Sequence, residues 1–233
     1  TMSDTIKGND ILNAIVAASR SLTDRKEEVN RLNVFPVPDG DTGTNMSLTI
    51  QSAVKELVNC RSNKITDIAE AVSKGALKGA RGNSGVIFSL IFKGFAESIR
   101  QLDEIDAVSL AKALEAGSDE AYASIEKPME GTMLTVIRLA AAKASSAASK
   151  GCTAEETFIQ ALQGAEASLK TTTNLLPALK RHGVVDAGGQ NSDLNLGRTG
   201  VAFVGCVFQD NLGLLFLENH CVFHLSKIVP IAK

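Results

Sequence analysis

Hydrophobic residues recur at helical spacing along most of this chain. Met46, Ile50, Val54, Leu57 and Val58 follow at three or four residues, which places them on one face of a helix. The same spacing predicts helices over 65–77, 107–125, 132–148, 154–172 and 175–181. At the start of the chain we predict a helix capped by Asp10, followed by a short polar helix over 26–32. Residues 86–92 are apolar nearly all round, which is typical of a buried helix. No regular alternation precedes residue 184, so the pattern predicts an all-α domain.

The pattern changes after residue 190. Residues 191–233 hold four of the nine phenylalanines but only two alanines, and their apolar runs at 201–208, 212–217 and 222–229 favour β-structure. We therefore predict one domain over 1–190 and an irregular, atypical tail over 191–233. Two interpretations of the tail stay open, namely that it completes the helical domain or that it is foreign to it. His220, Cys221 and His224 lack a matching fourth ligand and are interpreted as packing residues.

Composition indicates a globular protein and argues against several other classes. With 44% hydrophobic residues, the chain of 233 residues can build a large core. A formal net charge of −2 with mixed signs excludes a basic footprint for nucleic acid and a polybasic membrane patch. No apolar run reaches the roughly 18 residues of a membrane span. The four cysteines have no CxxC spacing, so we expect no zinc site or disulfide framework and a reducing, cytoplasmic location.

The segment from Asn33 to Asn45, which reads NVFPVPDGDTGTN, concentrates the candidate chemistry. Its two prolines predict a stiff, straight approach to Asp39. Only Gly40 separates Asp39 from Asp41, and glycine permits a turn that brings both carboxylates into one small volume. Two such anions repel each other unless a cation lies between them. Magnesium, which is usually held by one or two carboxylates and substrate phosphates, is the natural candidate.

This segment has two other interpretations. A calcium-binding EF-hand loop beginning at Asp39 is excluded, because Thr44 and Ile50 stand where it needs glycine and glutamate. An ordinary turn and helix cap remains the alternative, although a cap needs one oxygen-bearing side chain rather than five. Residues 42–45 open an amphipathic helix, whose free N–H groups suit phosphate.

Three further glycine-rich segments stand near helix starts. They are 82–85, where Ser84 is predicted to cap the following helix, 130–133, and 183–189. None is a Walker A loop, since the GxxxxGK[ST] pattern is absent. Together with residues 42–45 they predict that helix N-termini gather at one end of the bundle, where their dipoles favour anions.

Taken together, residues 33–46, 80–86, 127–133 and 183–189 resemble the ATP-binding domain of the dihydroxyacetone-kinase L type, most closely the N-terminal domain of the bacterial fatty acid kinases. The resemblance covers residues 8–190. It implies a barrel of about eight antiparallel amphipathic helices, with ATP or ADP at one mouth. After Gly189 the family pattern is lost, so the resemblance implies an enzyme that is incomplete without further domains.

The resemblance also implies site residues. Asn33, Asp39 and Asp41 occupy positions that hold a pair of magnesium ions, and Asn33 replaces an aspartate of the dihydroxyacetone branch, so the second ion is expected to bind more weakly. The implied phosphate contacts are Thr42, Gly43, Thr44, Asn45, Ser84 and Gly85. The residues implied on the nucleoside side are Met133, Asp186 and Gly188.

The implied reaction is transfer of the terminal phosphoryl group of ATP to a fatty acid carboxylate, which a carrier protein of the DegV type presents. A carboxylate is already ionised at neutral pH, so no catalytic side chain is expected beyond the metal ligands. Two alternatives stay open: a dihydroxyacetone kinase of the L type, and a non-catalytic nucleotide-binding module. Exposed helix faces leave room for a homodimer.

Overall fold

A computed structural model describes residues 4–189 of the protein. The predictions for 191–233, including the β-prone runs and His220, Cys221 and His224, lie outside the described residues. The described residues form eight α-helices: α1 Gly8–Leu32, α2 Thr42–Asn59, α3 Ile65–Gly79, α4 Gly82–Ser98, α5 Ala107–Ser124, α6 Met133–Ser149, α7 Ala154–Leu175 and α8 Pro177–His182. The predicted all-α class and helical bundle are confirmed.

Two predictions about the first helix were wrong. The helix begins at Gly8 rather than after Asp10, and the Asp10 carboxylate instead accepts a hydrogen bond of 2.8 Å from the backbone N–H of Lys7. The separate helix over 26–32 is the second half of α1. The polar stretch between the two predicted helices contains neither glycine nor proline, so nothing in it stops the helix.

Later helix starts follow the capping signals in the sequence. The Asp106 carboxylate accepts the N–H of Ser109 at 2.8 Å at the start of α5. At the start of α7, Thr153 and Glu156 exchange hydrogen bonds between side chain and backbone of 3.2 and 2.8 Å. These contacts satisfy N–H groups that the first turn of a helix leaves unpaired.

The helices pack mainly against their neighbours in sequence, with the largest interfaces between α6 and α7, α4 and α5, and α2 and α3. Isoleucine and alanine dominate the core, and Phe88 is its largest fully buried side chain. The short N-terminal segment joins the α4–α5 connection through two backbone hydrogen bonds between Ile6 and Ile105, of 2.8 and 2.9 Å. Among the described helices, none combines the length and apolar character needed to cross a membrane.

Two residues predicted on apolar faces are exposed. Val58 is 72% exposed and Leu77 is 57% exposed. Each directly follows a buried residue, Leu57 or Ala76, and adjacent residues on a helix point about 100° apart. One residue of each pair is therefore buried in the core, and the other faces away from it.

Close contact between α2 and α3 depends on a glycine. A Cβ atom added at Gly75 would lie 2.6 Å from both the Cα atom of Ala53 and the carbonyl oxygen of Ser52. These are backbone atoms, which cannot rotate away as a flexible side chain would. The two helices could accept a larger residue only by moving apart.

We expect Gly75→Ala to lower the free energy of unfolding by about 1–3 kcal/mol, because overpacking outweighs the higher helix propensity of alanine. Chemical denaturation measures this change. Glu70→Ala, at an exposed position of the same helix, is the control and should change stability little. A Gly75→Ala protein more stable than wild type would show that the helices are not in close contact there.

Candidate functional site

One cavity of about 530 Å³ lies where several helices begin. Its walls come from the α1–α2 connection, the first turns of α2, α4 and α6, the α5–α6 connection and the segment after α8. The predicted gathering of helix N-termini is thus confirmed for α2, α4 and α6. The fourth segment, 183–189, follows α8 and reaches the cavity through Asp186 and Gly188. This volume is in the range of about 300–1,000 Å³ that is common for small-molecule sites.

Nine of the twelve residues predicted for the site line this cavity: Asn33, Asp39, Asp41, Thr42, Asn45, Ser84, Met133, Asp186 and Gly188. Ser84 does not cap α4 as predicted. The helix begins at Gly82, two residues earlier than Ser84, with Arg81 in the capping position. Ser84 therefore lies inside the first turn.

The other three predicted residues, Gly43, Thr44 and Gly85, are not part of the cavity wall. Gly43 lies directly against the backbone of Lys26 in α1, and Gly85 lies against the hydroxyl of Thr49. The N–H of Thr44 donates to the Asn30 side-chain oxygen and the Thr44 hydroxyl accepts from the Asn30 amide, each at 3.0 Å. These residues join helices to one another instead of facing the cavity.

The approach to the two carboxylates is bent. The chain bends at residues 35 and 36, so the predicted straight approach was wrong, and the peptide bond between these two residues is cis. Gly40 then adopts a φ of 68°, a conformation that residues with a side chain rarely adopt. Asp39 is exposed and Asp41 is half-buried at the start of α2. Asp41 stands in the capping position, yet its carboxylate makes no capping hydrogen bond, which weakens the interpretation of this segment as an ordinary cap.

Asn33 connects the end of α1 to this pair of carboxylates. Its side-chain N–H donates to the Asp39 carboxylate at 2.6 Å. Its side-chain oxygen is buried and has no hydrogen-bond partner within the part of the chain that the structure describes. A buried polar atom left without a partner costs about 1–3 kcal/mol.

This set of donors suits a hard cation. Among residues 4–189, no three His, Cys, Asp or Glu side chains cluster as a metal site by themselves. A magnesium ion would therefore depend on Asp39, Asp41 and the unpaired Asn33 oxygen, with phosphate oxygens completing its shell. The residues present fit an ion held jointly by protein and ligand.

Asp186 lies buried in the cavity wall. Its carboxylate accepts the N–H of Gly189 at 2.8 Å, and its own N–H donates to the Thr172 hydroxyl at 3.1 Å. Burial raises the pKa of Asp186 to about 6, against the opposing effect of hydrogen bonds from the backbone of Gly189, Met133 and Gly188. Asp186 thus holds the segment after α8 against the start of α6.

Sequence reasoning missed most of the α5–α6 connection. Ile125, Lys127, Met129 and Thr132 line the cavity, although the resemblance implies a role only for Met133, which follows them. Among the lining residues within the described range 4–189, Lys127 is the one cation. The signal was present, because polar residues in a connection between two helices are frequent ligand contacts.

Comparison with known proteins identifies the family of this domain. A family model described as "DAK2 domain" matches residues 36–196. The chain belongs to the DAK2 family. Domains of this family are kinase-related and bind ADP or ATP.

The DAK2 domain of this chain is similar to several bacterial proteins. Protein YloV of Bacillus subtilis (strain 168) is 46% identical over 186 residues, which cover 80% of this chain and 34% of that protein. Uncharacterized protein SSP1546 of Staphylococcus saprophyticus is 45% identical over 185 residues, which cover 79% of this chain and 34% of that protein. The chain thus spans about a third of the length of these relatives.

The raised pKa of Asp186 predicts a pH dependence of stability. Between about pH 4 and 6 the folded protein keeps a proton that the unfolded chain has lost, so wild type should lose up to about 3 kcal/mol of unfolding free energy across this window as pH rises. Asp186→Asn removes this dependence. Denaturation of wild type and Asp186→Asn from pH 4 to 7 measures the difference between their free energies of unfolding. If that difference does not change with pH, the pKa of Asp186 is not raised in the folded protein.

Proposed function

We propose that this DAK2 domain binds ATP with magnesium and transfers the terminal phosphoryl group to a fatty acid carboxylate presented by a DegV-type carrier protein. The observation that carries the proposal is the shared cavity. Two carboxylates and an unpaired buried amide oxygen lie at a site where three helix N-termini open. Oxygen ligands for a cation and amides for an anion are thus adjacent.

The phosphate end of the nucleotide would lie between α2 and α4. The backbone N–H of Gly85 donates to the Arg81 carbonyl, as the first bond of α4, so the amides of Asn83 and Ser84 come before that bond. Such amides at a helix start bind phosphate oxygens well. Thr42 and Asn45 contribute side chains from α2. Gly43, Thr44 and Gly85 act indirectly, by holding the helices in place.

Asn33, Asp39 and Asp41 would hold the metal. A magnesium ion bound there would neutralise charge on the terminal phosphates. Asn33 offers one oxygen where a carboxylate would offer two, and its side-chain N–H already donates a hydrogen bond to the Asp39 carboxylate. We therefore propose that one ion binds firmly and a second binds weakly.

The transfer needs no general base. The acceptor carboxylate is ionised at neutral pH, so its oxygen can attack the terminal phosphorus directly while the bond to the bridging oxygen breaks and ADP leaves. An acyl phosphate and ADP are the products. The contribution of the protein is alignment of the reactants and compensation of charge, which are the main sources of catalysis in phosphoryl transfer.

We expect Asp41→Ala to weaken binding of magnesium–ATP by roughly tenfold or more, because one of two carboxylate ligands is lost. Isothermal titration calorimetry with ATP, with and without magnesium, measures this effect. The loss should largely disappear when magnesium is omitted. Asp119→Ala, which removes an exposed carboxylate of α5 outside the cavity, is the matched control. Equal affinity of wild type and Asp41→Ala for magnesium–ATP would refute the metal assignment.

The acceptor can be identified with ATP labelled at the terminal phosphate. Label should pass to a fatty acid bound to a DegV-type carrier, giving a product that hydroxylamine cleaves as an acyl phosphate. Dihydroxyacetone should take up no label. Label on dihydroxyacetone alone would favour the kinase of that substrate. ATP binding with transfer to neither acceptor would favour the non-catalytic module.

A further inference from the structure

The α5–α6 connection forms one wall of the cavity but is held from outside it. Ile125, Lys127, Met129 and Thr132 face the cavity, whereas Glu130 does not contribute to its lining. The carboxylate of Glu130 instead meets side chains of both flanking helices. Glu130 therefore belongs to the support of the wall and not to the surface that a ligand touches.

Glu130 uses both carboxylate oxygens. One accepts the hydroxyl of Tyr122 in α5 at 2.8 Å. The other accepts the hydroxyl of Thr135 and the guanidinium of Arg138, both in α6 and both at 2.7 Å. Arg138 also donates to the Tyr122 hydroxyl at 3.3 Å. One side chain of the connection thus joins the end of α5 to the start of α6.

Further hydrogen bonds connect these contacts of Glu130 to residues that line the cavity. The hydroxyl of Thr135 accepts the N–H of Gly131 at 2.8 Å in a buried hydrogen bond. The hydroxyl of Thr132 donates to the carbonyl of Met129 at 2.7 Å and accepts the N–H of Leu134 at 3.3 Å. Two lining residues, Met129 and Thr132, are therefore fixed relative to each other and to the first turn of α6.

The charge state of Glu130 suits this role. Partial burial raises the pKa of its carboxyl, but hydrogen bonds from Thr135, Arg138 and Tyr122 together outweigh burial and hold the pKa below its ordinary value. The group is thus an anion at neutral pH and accepts hydrogen bonds only. Glu130 and Arg138 are about half exposed, at 51% and 46%, and ion pairs this exposed add little to global stability.

We propose that Glu130 is a positioning residue of the nucleotide site, which keeps residues 125–132 in the conformation that forms the cavity wall and thereby sets the affinity for magnesium–ATP. This inference rests on the proposed function, because it takes the cavity to be the nucleotide site. It assigns to Glu130 no contact with the ligand. The effect is preorganisation, since a wall already ordered in the free protein need not be ordered on binding.

The test compares Glu130→Ala and Glu130→Gln with a matched ion pair elsewhere. Lys93 and Glu120 form a contact of 2.6 Å between α4 and α5, with exposures of 40% and 25%, and neither residue lines the cavity. Glu120→Gln therefore breaks a similar contact away from the site. Calorimetry gives the dissociation constant of magnesium–ATP, and thermal melting without ligand gives the stability of each protein.

We expect Glu130→Ala to raise the dissociation constant roughly tenfold and Glu130→Gln to raise it less, since glutamine still accepts the Tyr122 or Thr135 hydroxyl. Glu130→Gln and Glu120→Gln should melt within a few degrees of each other, whereas Glu120→Gln should bind as wild type does. Hydrogen exchange without ligand should show faster exchange over 125–132 in Glu130→Ala, above all at the Gly131 amide.

Unchanged affinity of Glu130→Ala for magnesium–ATP would overturn the inference, and so would unchanged exchange over 125–132. An equal loss of affinity in Glu120→Gln would also overturn it, because binding would then follow global stability. Failure of the proposed function has a different signature: wild type itself would bind no magnesium–ATP, while the exchange measurement would still report whether Glu130 orders the connection.

Discussion

The meeting of Asn33, Asp39 and Asp41 at one cavity is the constraint on which this end of the molecule depends. The positive φ of Gly40 turns the chain between them, and α2 begins directly after the second carboxylate. Asn33 offers one N–H to Asp39, but its oxygen is buried without a partner in the described residues. A divalent cation would give that oxygen a partner and would bind the two carboxylates at the same time. The proposed kinase activity depends on this arrangement, because the same ion would meet the phosphates of ATP.

The helical bundle makes this site possible, because it brings segments that are distant in the sequence to one end of the domain. Close contacts such as that of Gly75 with the backbone of α2 let neighbouring helices lie side by side, and the first turns of α2, α4 and α6 then open into one cavity. Residues in the cavity wall and behind it hold the wall in place. Asp186, in the wall, holds the segment after α8. Behind the wall, Thr44 is hydrogen-bonded to Asn30 of α1, and Glu130 holds the α5–α6 connection.

Local sequence patterns predicted much of this structure, and tertiary contacts explain the remainder. Helical periodicity located most of the helices, although it divided α1 into two. Three of the four glycine-bearing segments marked helix starts that converge, those of α2, α4 and α6, whereas the fourth, 183–189, follows α8. Periodicity could not tell which of two adjacent apolar residues would be buried, so Val58 was misplaced. Nor could it show that Asn30, fourteen residues earlier, would use the N–H of Thr44. The contacts of Glu130 with α5 and α6 likewise exist only once the helices are packed.

The most direct test of the metal site is a crystal structure of the protein with manganese, as a substitute for magnesium, and a non-hydrolysable ATP analogue. Anomalous scattering locates manganese independently of the protein atoms. We expect a strong anomalous peak in contact with the carboxylates of Asp39 and Asp41, with phosphate oxygens on its other side. A nucleotide bound in this cavity whose manganese contacts neither aspartate, or a nucleotide bound elsewhere on the protein, would contradict the proposed site.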